Sequence, residues 1–168
     1  MKLCYWLRCL LLAMAASGCA TIRDPALQTN RRVVQQYFER WANRGDPTVA
    51  DALIVPELRL TNPPTVLKNR EDYKSSMARF RSAFPDLSFT VEDMICEADK
   101  VAVRWTMRGT HKGEMAGRAP TGRSMTVTGV SVFRLSGGKI CEIHVHMDRM
   151  GQMEQLGWAP APAAGQRK

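Results

Sequence analysis

The sequence predicts an α+β fold in which N-terminal helices pack on a strongly curved antiparallel sheet and form a cone with an apolar pocket. Apolar residues recur at helical spacing in the first half of the chain. From Leu87 onward they alternate with polar residues, as they do in half-buried strands. Short turns containing Gly, Asp or Pro separate the alternating stretches, which is typical of hairpins. The 168 residues are sufficient for one domain with its own core.

Three helices are expected in the first half of the chain. The first has Asn30 as its N-cap and ends at Gly45. Its apolar face consists of Val33, Val34, Tyr37, Phe38 and Trp41. Asp46-Pro47 is typical of the start of a second, short helix. The third helix covers residues 70–83, and its apolar stripe consists of Tyr73, Met77, Phe80 and Phe84.

Four long strands, joined by hairpins, are expected after Pro85. The alternating segments are residues 87–96, 101–108, 124–135 and 139–147. A short helix over 150–156 completes a domain that spans residues 30–158. Three helices do not fill the hollow side of a four-stranded sheet, so the open end of the cone is expected to hold an apolar pocket.

Cys96 and Cys141 fall on the first and the last of these four strands. Three strand spacings of about 4.8 Å place them roughly 14 Å apart. A disulfide requires Cα atoms within about 7 Å of each other. We therefore expect two buried free thiols.

The N-terminal residues are typical of a targeting segment. A basic start and a short apolar run make residues 1–18 a predicted signal peptide. Its end, Ala16-Ser17-Gly18-Cys19, resembles a bacterial lipobox, in which the cysteine is lipidated; the alternative is an ordinary secretory signal cut near the same place. Cys19 is followed by Ala20, whereas an Asp at this position would resemble an inner-membrane retention signal. The lipobox resemblance therefore favours the outer membrane, with the protein facing the periplasm. Residues 19–29 are predicted to be a tether and residues 159–168 a disordered tail.

The charge pattern argues against nucleic-acid binding. The formal net charge is +8, but the basic residues are scattered and no run exceeds two residues. The chain contains no glycine-rich phosphate loop, no dinucleotide fingerprint and no nucleophile elbow. We therefore expect no cofactor and no nucleic-acid partner.

Three segments carry a family resemblance. They are Phe84-Pro85-Asp86-Leu87, then Arg108 to Glu114 with Pro120-Thr121-Gly122, and last Gly138-Lys139-Ile140 with Asp148 and Gln155-Leu156-Gly157. Together they resemble the SnoaL-like polyketide cyclase or ester cyclase family, whose fold is the nuclear-transport-factor-two-like cone. The resemblance implies a homodimer with a deep pocket. For the cyclases it also implies an aldol ring closure by acid–base catalysis, without metal or cofactor.

The acid–base pair of those cyclases is replaced in this sequence. The resemblance places the key Asp six residues after the Lys of Gly-Lys-Ile, where this chain has Val145. It places the partner His three residues before Arg134, where this chain has Ser131. Valine carries no proton to transfer, and serine is not a base without an activating neighbour. Cyclase chemistry of the known type is therefore not expected.

Three other polar residues are weak catalytic candidates: His111, His146 and Asp148. His111 lies in a hairpin tip, where it either acts as a base at the cone mouth or, more often, holds the shape of the hairpin. His144, His146 and Asp148 alternate as metal ligands would on a strand. The family pattern, however, places both histidines away from the pocket, and Asp148 is suited to capping the next helix. We therefore predict no metal site.

The pocket is expected to be lined by Tyr37, Phe38, Trp41, Met77, Trp105, Ser131, Phe133 and Val145. Two hypotheses follow. In the first, the protein is a lipid-anchored envelope protein whose cone binds a small hydrophobic or amphipathic molecule. If it is an enzyme, this hypothesis expects cofactor-free cyclase, isomerase or hydrolase chemistry. In the second, it is a non-enzymatic binding or dimerisation module of the envelope.

Overall fold

The structure, a computed structural model, describes residues 24–158. It contains four helices: α1 (Pro25–Gln36), α2 (Pro47–Leu53), α3 (Arg70–Ala83) and α4 (Arg149–Leu156). Its six strands are β1 (Ile54–Asn62), β2 (Thr65–Leu67), β3 (Ser88–Glu97), β4 (Lys100–Thr110), β5 (Ser124–Ser136) and β6 (Lys139–Met147). The predicted signal peptide, Cys19 and the predicted tail at 159–168 lie outside the described residues. None of the helices described is long and apolar enough to cross a membrane.

The first helix starts earlier than predicted. Asp24 is its N-cap and accepts a hydrogen bond from the backbone N–H of Ala26 at 2.8 Å, while Pro25 occupies the first turn. Residues 25–29, predicted to be tether, are therefore helical, and the prediction of Asn30 as the cap is wrong. The Asn30 amide instead donates to the carbonyl of Ala98 at 3.2 Å.

α1 continues directly into a π-helical segment, Tyr37–Ala42. Within this segment Tyr37, Phe38 and Trp41 are all buried. The wider turn thus places aromatic residues next to one another on the side that faces the sheet. Gly45, with a φ of +70°, follows and reverses the chain, as the sequence predicts.

The strands form one open sheet in the order β2-β1-β6-β5-β4-β3. The antiparallel meander predicted after Pro85 is confirmed as β3 to β6. The sheet is nevertheless mixed, because β1 pairs in parallel with β6. The sequence pattern does not predict this strand, because Pro56, Pro63 and Pro64 interrupt the segment. Pro56 is accommodated where the β1–β6 register shifts, between Ile54 and Arg59, so its missing N–H breaks no regular ladder.

One face of the sheet packs against the helices. On β4 the buried positions alternate as predicted, with Val101, Val103, Trp105 and Met107 facing the core. Phe133 of β5 contacts the Tyr37 ring edge-on, with centroids 5.0 Å apart. Cys96 and Cys141 are free, as predicted from their strand separation, although both are half-buried rather than fully buried. The helices thus cover one face of the sheet, and all six strands contribute residues to the space between the two layers.

Candidate functional site

A cavity of about 230 Å³ lies between the helices and the covered face of the sheet. The helical wall is formed by Tyr37, Phe38, Tyr73, Met77 and Phe80. The sheet wall includes Phe89, Trp105, Met107, Val145 and Met147. Polar side chains are few and include Ser76, Ser131 and Gln152. Apolar walls with a small number of polar groups are typical of sites for small organic molecules.

Six of the eight residues predicted to line the pocket do line this cavity: Tyr37, Phe38, Met77, Trp105, Ser131 and Val145. Trp41 and Phe133 do not, so their assignment to the wall is wrong. The Trp41 ring packs edge-on against Tyr73 at 5.9 Å, and Phe133 lies against Tyr37 and Phe38. Both are buried behind the aromatic rings that form the wall.

Ser131 and Val145, the two positions where the resemblance expects a His and an Asp, are directly opposite each other on β5 and β6. Both line the cavity. The Ser131 hydroxyl accepts a hydrogen bond from the indole N–H of Trp105 at 2.9 Å, which fixes its position. In residues 24–158 no histidine or carboxylate side chain lines the cavity, so no conventional base faces it.

Tyr37 and Tyr73 form the polar feature that the sequence analysis missed. Their rings are buried and line the cavity, and their hydroxyls hydrogen-bond to each other. Burial raises the pKa of Tyr37 well above its ordinary value, and Tyr73 raises it further. Burial also raises the pKa of Tyr73, partly offset by its hydrogen bond with Tyr37. Both phenols therefore keep their protons at neutral pH and act as hydrogen-bond donors.

A signal for this pair was present in the sequence. Both tyrosines fall on apolar helix stripes, and a buried tyrosine hydroxyl usually finds a polar partner. What the sequence does not show is that the two partners are each other, because they are separated by 36 residues.

His111 is completely buried but is not part of the cavity wall. Its Nδ1 accepts the backbone N–H of Thr121 at 3.0 Å. Its ring packs between Phe84 and Trp158, with centroid distances of 5.4 and 5.0 Å. Through the hydrogen bond from Thr121, His111 links the two ends of the segment that joins β4 to β5.

His146 and Asp148 also lie away from the cavity. Val145 faces the cavity, so His144 and His146 on either side of it face the opposite side of β6, where His146 is exposed. His144 Nε2 lies 3.0 Å from a Glu142 carboxylate oxygen. Asp148 caps α4 by accepting the N–H of Gly151 at 2.8 Å, as predicted. Among residues 24–158 no three potential ligands are grouped closely enough to hold a metal ion.

Arg149 lies at the edge of the cavity and connects α4 to the β1–β2 turn. Its guanidinium donates to the Pro63 carbonyl at 2.7 Å and to the Asn62 side-chain oxygen at 2.9 Å. These contacts hold the turn beside the cavity lining.

Comparisons with known proteins agree with this architecture. The family model for the SnoaL-like polyketide cyclase matches residues 31–156. Aklanonic acid methyl ester cyclase AcmA of Streptomyces galilaeus is 32% identical over 143 residues, covering 82% of this chain and 94% of that protein.

Solved structures show the same fold. A SnoaL-like protein of Jannaschia sp. CCS1 superposes with a TM-score of 0.76 at 25% identity, over 82% of this chain and 98% of that one. TsrD from Streptomyces laurentii superposes with a TM-score of 0.71 at 29% identity, over 79% and 97%. The matched region includes every helix and strand that encloses the cavity except the first turns of α1. The chain therefore belongs to the SnoaL-like polyketide cyclase family.

Proposed function

We propose that this protein binds a small hydrophobic or amphipathic molecule in its cavity while anchored by lipid to the cell envelope. The observation that carries the proposal is the cavity itself: apolar walls from helix and sheet, with hydroxyl groups at a few points. The name of the relative AcmA describes a cyclase of a methyl ester. A mainly apolar molecule that carries carbonyl oxygens fits the walls of this cavity.

The chemistry that these residues support is cofactor-free hydrogen-bond donation. The Tyr37 and Tyr73 hydroxyls line the cavity and keep their protons, so they can donate to a carbonyl oxygen and polarise it, which is one part of what an isomerase or cyclase needs. The wall offers no group that removes a proton at neutral pH. The opposed Ser131 and Val145 thus favour a second candidate function, binding without catalysis.

Native mass spectrometry of protein taken from its own membrane tests the binding proposal. We expect a bound species of constant mass. Val145→Trp, which fills the cavity from β6, should remove that species. Val66→Trp places the same side chain at a position of β2 that is 59% exposed and does not line the cavity, and it should keep that species. A protein that carries no small molecule, or keeps it in Val145→Trp, would contradict the proposal. Conversion of the extracted ligand by fresh protein would separate an enzyme from a binding module.

Lipid anchoring at Cys19, in the outer membrane facing the periplasm, is part of the proposal and rests on the lipobox-like sequence. Cys19→Ala should move the protein out of the membrane fraction. Cys96→Ala changes a cysteine of β3 and should leave it there. An unchanged membrane fraction for Cys19→Ala would refute the anchor.

We also propose that the protein forms a homodimer. The sheet face opposite the cavity exposes Ile95 (70%) and Val130 (41%), two apolar side chains that a second copy would cover. Light scattering of the purified protein should give twice the monomer mass, and Ile95→Lys should reduce it. A monomer at all concentrations would exclude the dimer.

A further inference from the structure

We propose that Tyr37 and Tyr73 form a donor pair that binds a carbonyl oxygen of the ligand, so that the cavity selects ketones and esters over hydrocarbons of the same shape. This inference rests on the proposed function, because it names the chemical class that the cavity takes.

The tyrosine pair has one hydroxyl proton more than its internal hydrogen bond uses. The two hydroxyls carry two protons, and either hydroxyl can donate to the other. Whichever one donates, the proton of the second has no acceptor among residues 24–158. Both rings line the cavity, and both residues are buried. A buried donor without an acceptor is unfavourable, and a ligand oxygen satisfies it.

Neighbouring aromatic rings hold the tyrosine pair in place. Tyr37 contacts Phe38 and Phe133 edge-on at 5.2 and 5.0 Å, and Tyr73 contacts Trp41 at 5.9 Å. These rings hold both hydroxyls in place before any ligand arrives. A donor that is already oriented stabilises charge on a carbonyl oxygen without the cost of reorganisation.

The other polar groups of the wall have different partners. Ser131 accepts the Trp105 indole N–H at 2.9 Å, and its own proton has no acceptor among residues 24–158. It lies on β5 in the sheet wall, so replacing the two tyrosines separates their contribution from that of Ser131. Gln152 donates to the sulfur of Met125 at 3.4 Å, and Asn62 accepts from Arg149 at 2.9 Å. Ser75, an exposed hydroxyl residue of α3 that does not line the cavity, serves as the control in the test.

The test uses 9-fluorenone and fluorene, planar molecules of nearly equal shape that differ by one carbonyl oxygen. Their affinities for the full chain are measured by calorimetry or ligand fluorescence. The ratio of the two affinities should shift about tenfold toward fluorene in the double variant Tyr37→Phe/Tyr73→Phe, the size expected for one hydrogen bond. Fluorene affinity itself should stay within about twofold, since the rings remain. Ser75→Ala, on the exposed side of α3, should keep the wild-type ratio.

The infrared C=O stretch of bound fluorenone gives an independent result. It should lie at lower frequency in the wild-type complex than in the Tyr37→Phe/Tyr73→Phe complex, because a donated hydrogen bond weakens the C=O bond. An unchanged ratio and frequency in the double variant, or an equal loss in Ser75→Ala, would overturn the tyrosine assignment while binding stands. If neither compound binds and no native ligand is found, the proposed function fails instead.

Discussion

Ser131 on β5 and Val145 on β6 face each other directly in the sheet, and both side chains line the cavity. The family's acid–base pair is thus absent from the point where the resemblance implies it should be. The helical wall carries a pair of tyrosine hydroxyls instead. The site therefore donates hydrogen bonds and has no conventional base.

Placing the Asp and His of the cyclase acid–base pair at positions 145 and 131 should show that these two positions interact. Val145→Asp alone should reduce the free energy of unfolding by about 2–4 kcal/mol at pH 7, because it places a carboxyl among apolar groups. Adding Ser131→His should recover at least about 1 kcal/mol of that loss through a direct contact. Urea unfolding of both single variants and the double variant measures this coupling. Strictly additive losses would show that the two side chains do not meet.

Gly129 should be required for the position of Trp105. It lies opposite Trp105 in the β4–β5 pair, and a Cβ there would lie 2.4 Å from the indole ring. Gly129→Ala should lower the free energy of unfolding by about 1–3 kcal/mol and shift the tryptophan fluorescence, since the indole must move away from Ser131. Gly109→Ala is the control, because its new Cβ would lie 3.3 Å from Phe84 and should cost less. Equal losses for the two variants would contradict this account.

His111 should stabilise the fold without affecting binding. His111→Leu removes the acceptor of the Thr121 N–H in a fully buried site and should cost about 1–3 kcal/mol of unfolding free energy. His146→Ala, at an exposed position, should cost less than about 0.5 kcal/mol. Fluorenone affinity should be the same in both variants at a temperature where both are folded. A loss of affinity confined to His111→Leu would show that His111 contributes to ligand binding.

Asp86 should give the fold a pH dependence in the acid range. Its carboxylate accepts the Thr110 N–H and hydroxyl, both at 2.7 Å, and these bonds hold its pKa below the ordinary value. Because the folded-state pKa is lowered, the stabilisation is complete above the unfolded pKa of about 4 and is lost as the pH falls through the folded pKa. Asp86→Asn should therefore be less stable than the wild type at pH 7. The difference should shrink below about pH 4, and a constant difference would contradict the assignment.

The elements whose signals are local could be predicted from the sequence. Alternation predicted β3 to β6 and the face that each presents, and helical spacing predicted the aromatic face of Tyr37 and Phe38. β1 was missed because Pro56 resembles a strand breaker, and a register shift that accommodates a proline becomes visible only when the partner strand is known.

The cavity was predicted more completely than its chemistry. Alternation and the family pattern place Ser131 and Val145 on one wall. The contact between Tyr37 and Tyr73 joins two helical segments, and the depth of Trp41 and Phe133 depends on which rings cover them. These are tertiary contacts that no periodicity encodes.

A crystal structure of the full chain with 9-fluorenone tests the central claim most directly. We expect the aromatic ligand between the helical and sheet walls, with its carbonyl oxygen within about 3 Å of a Tyr37 or Tyr73 hydroxyl. An empty cavity at saturating ligand, or a bound molecule whose oxygen points away from both hydroxyls, would contradict it.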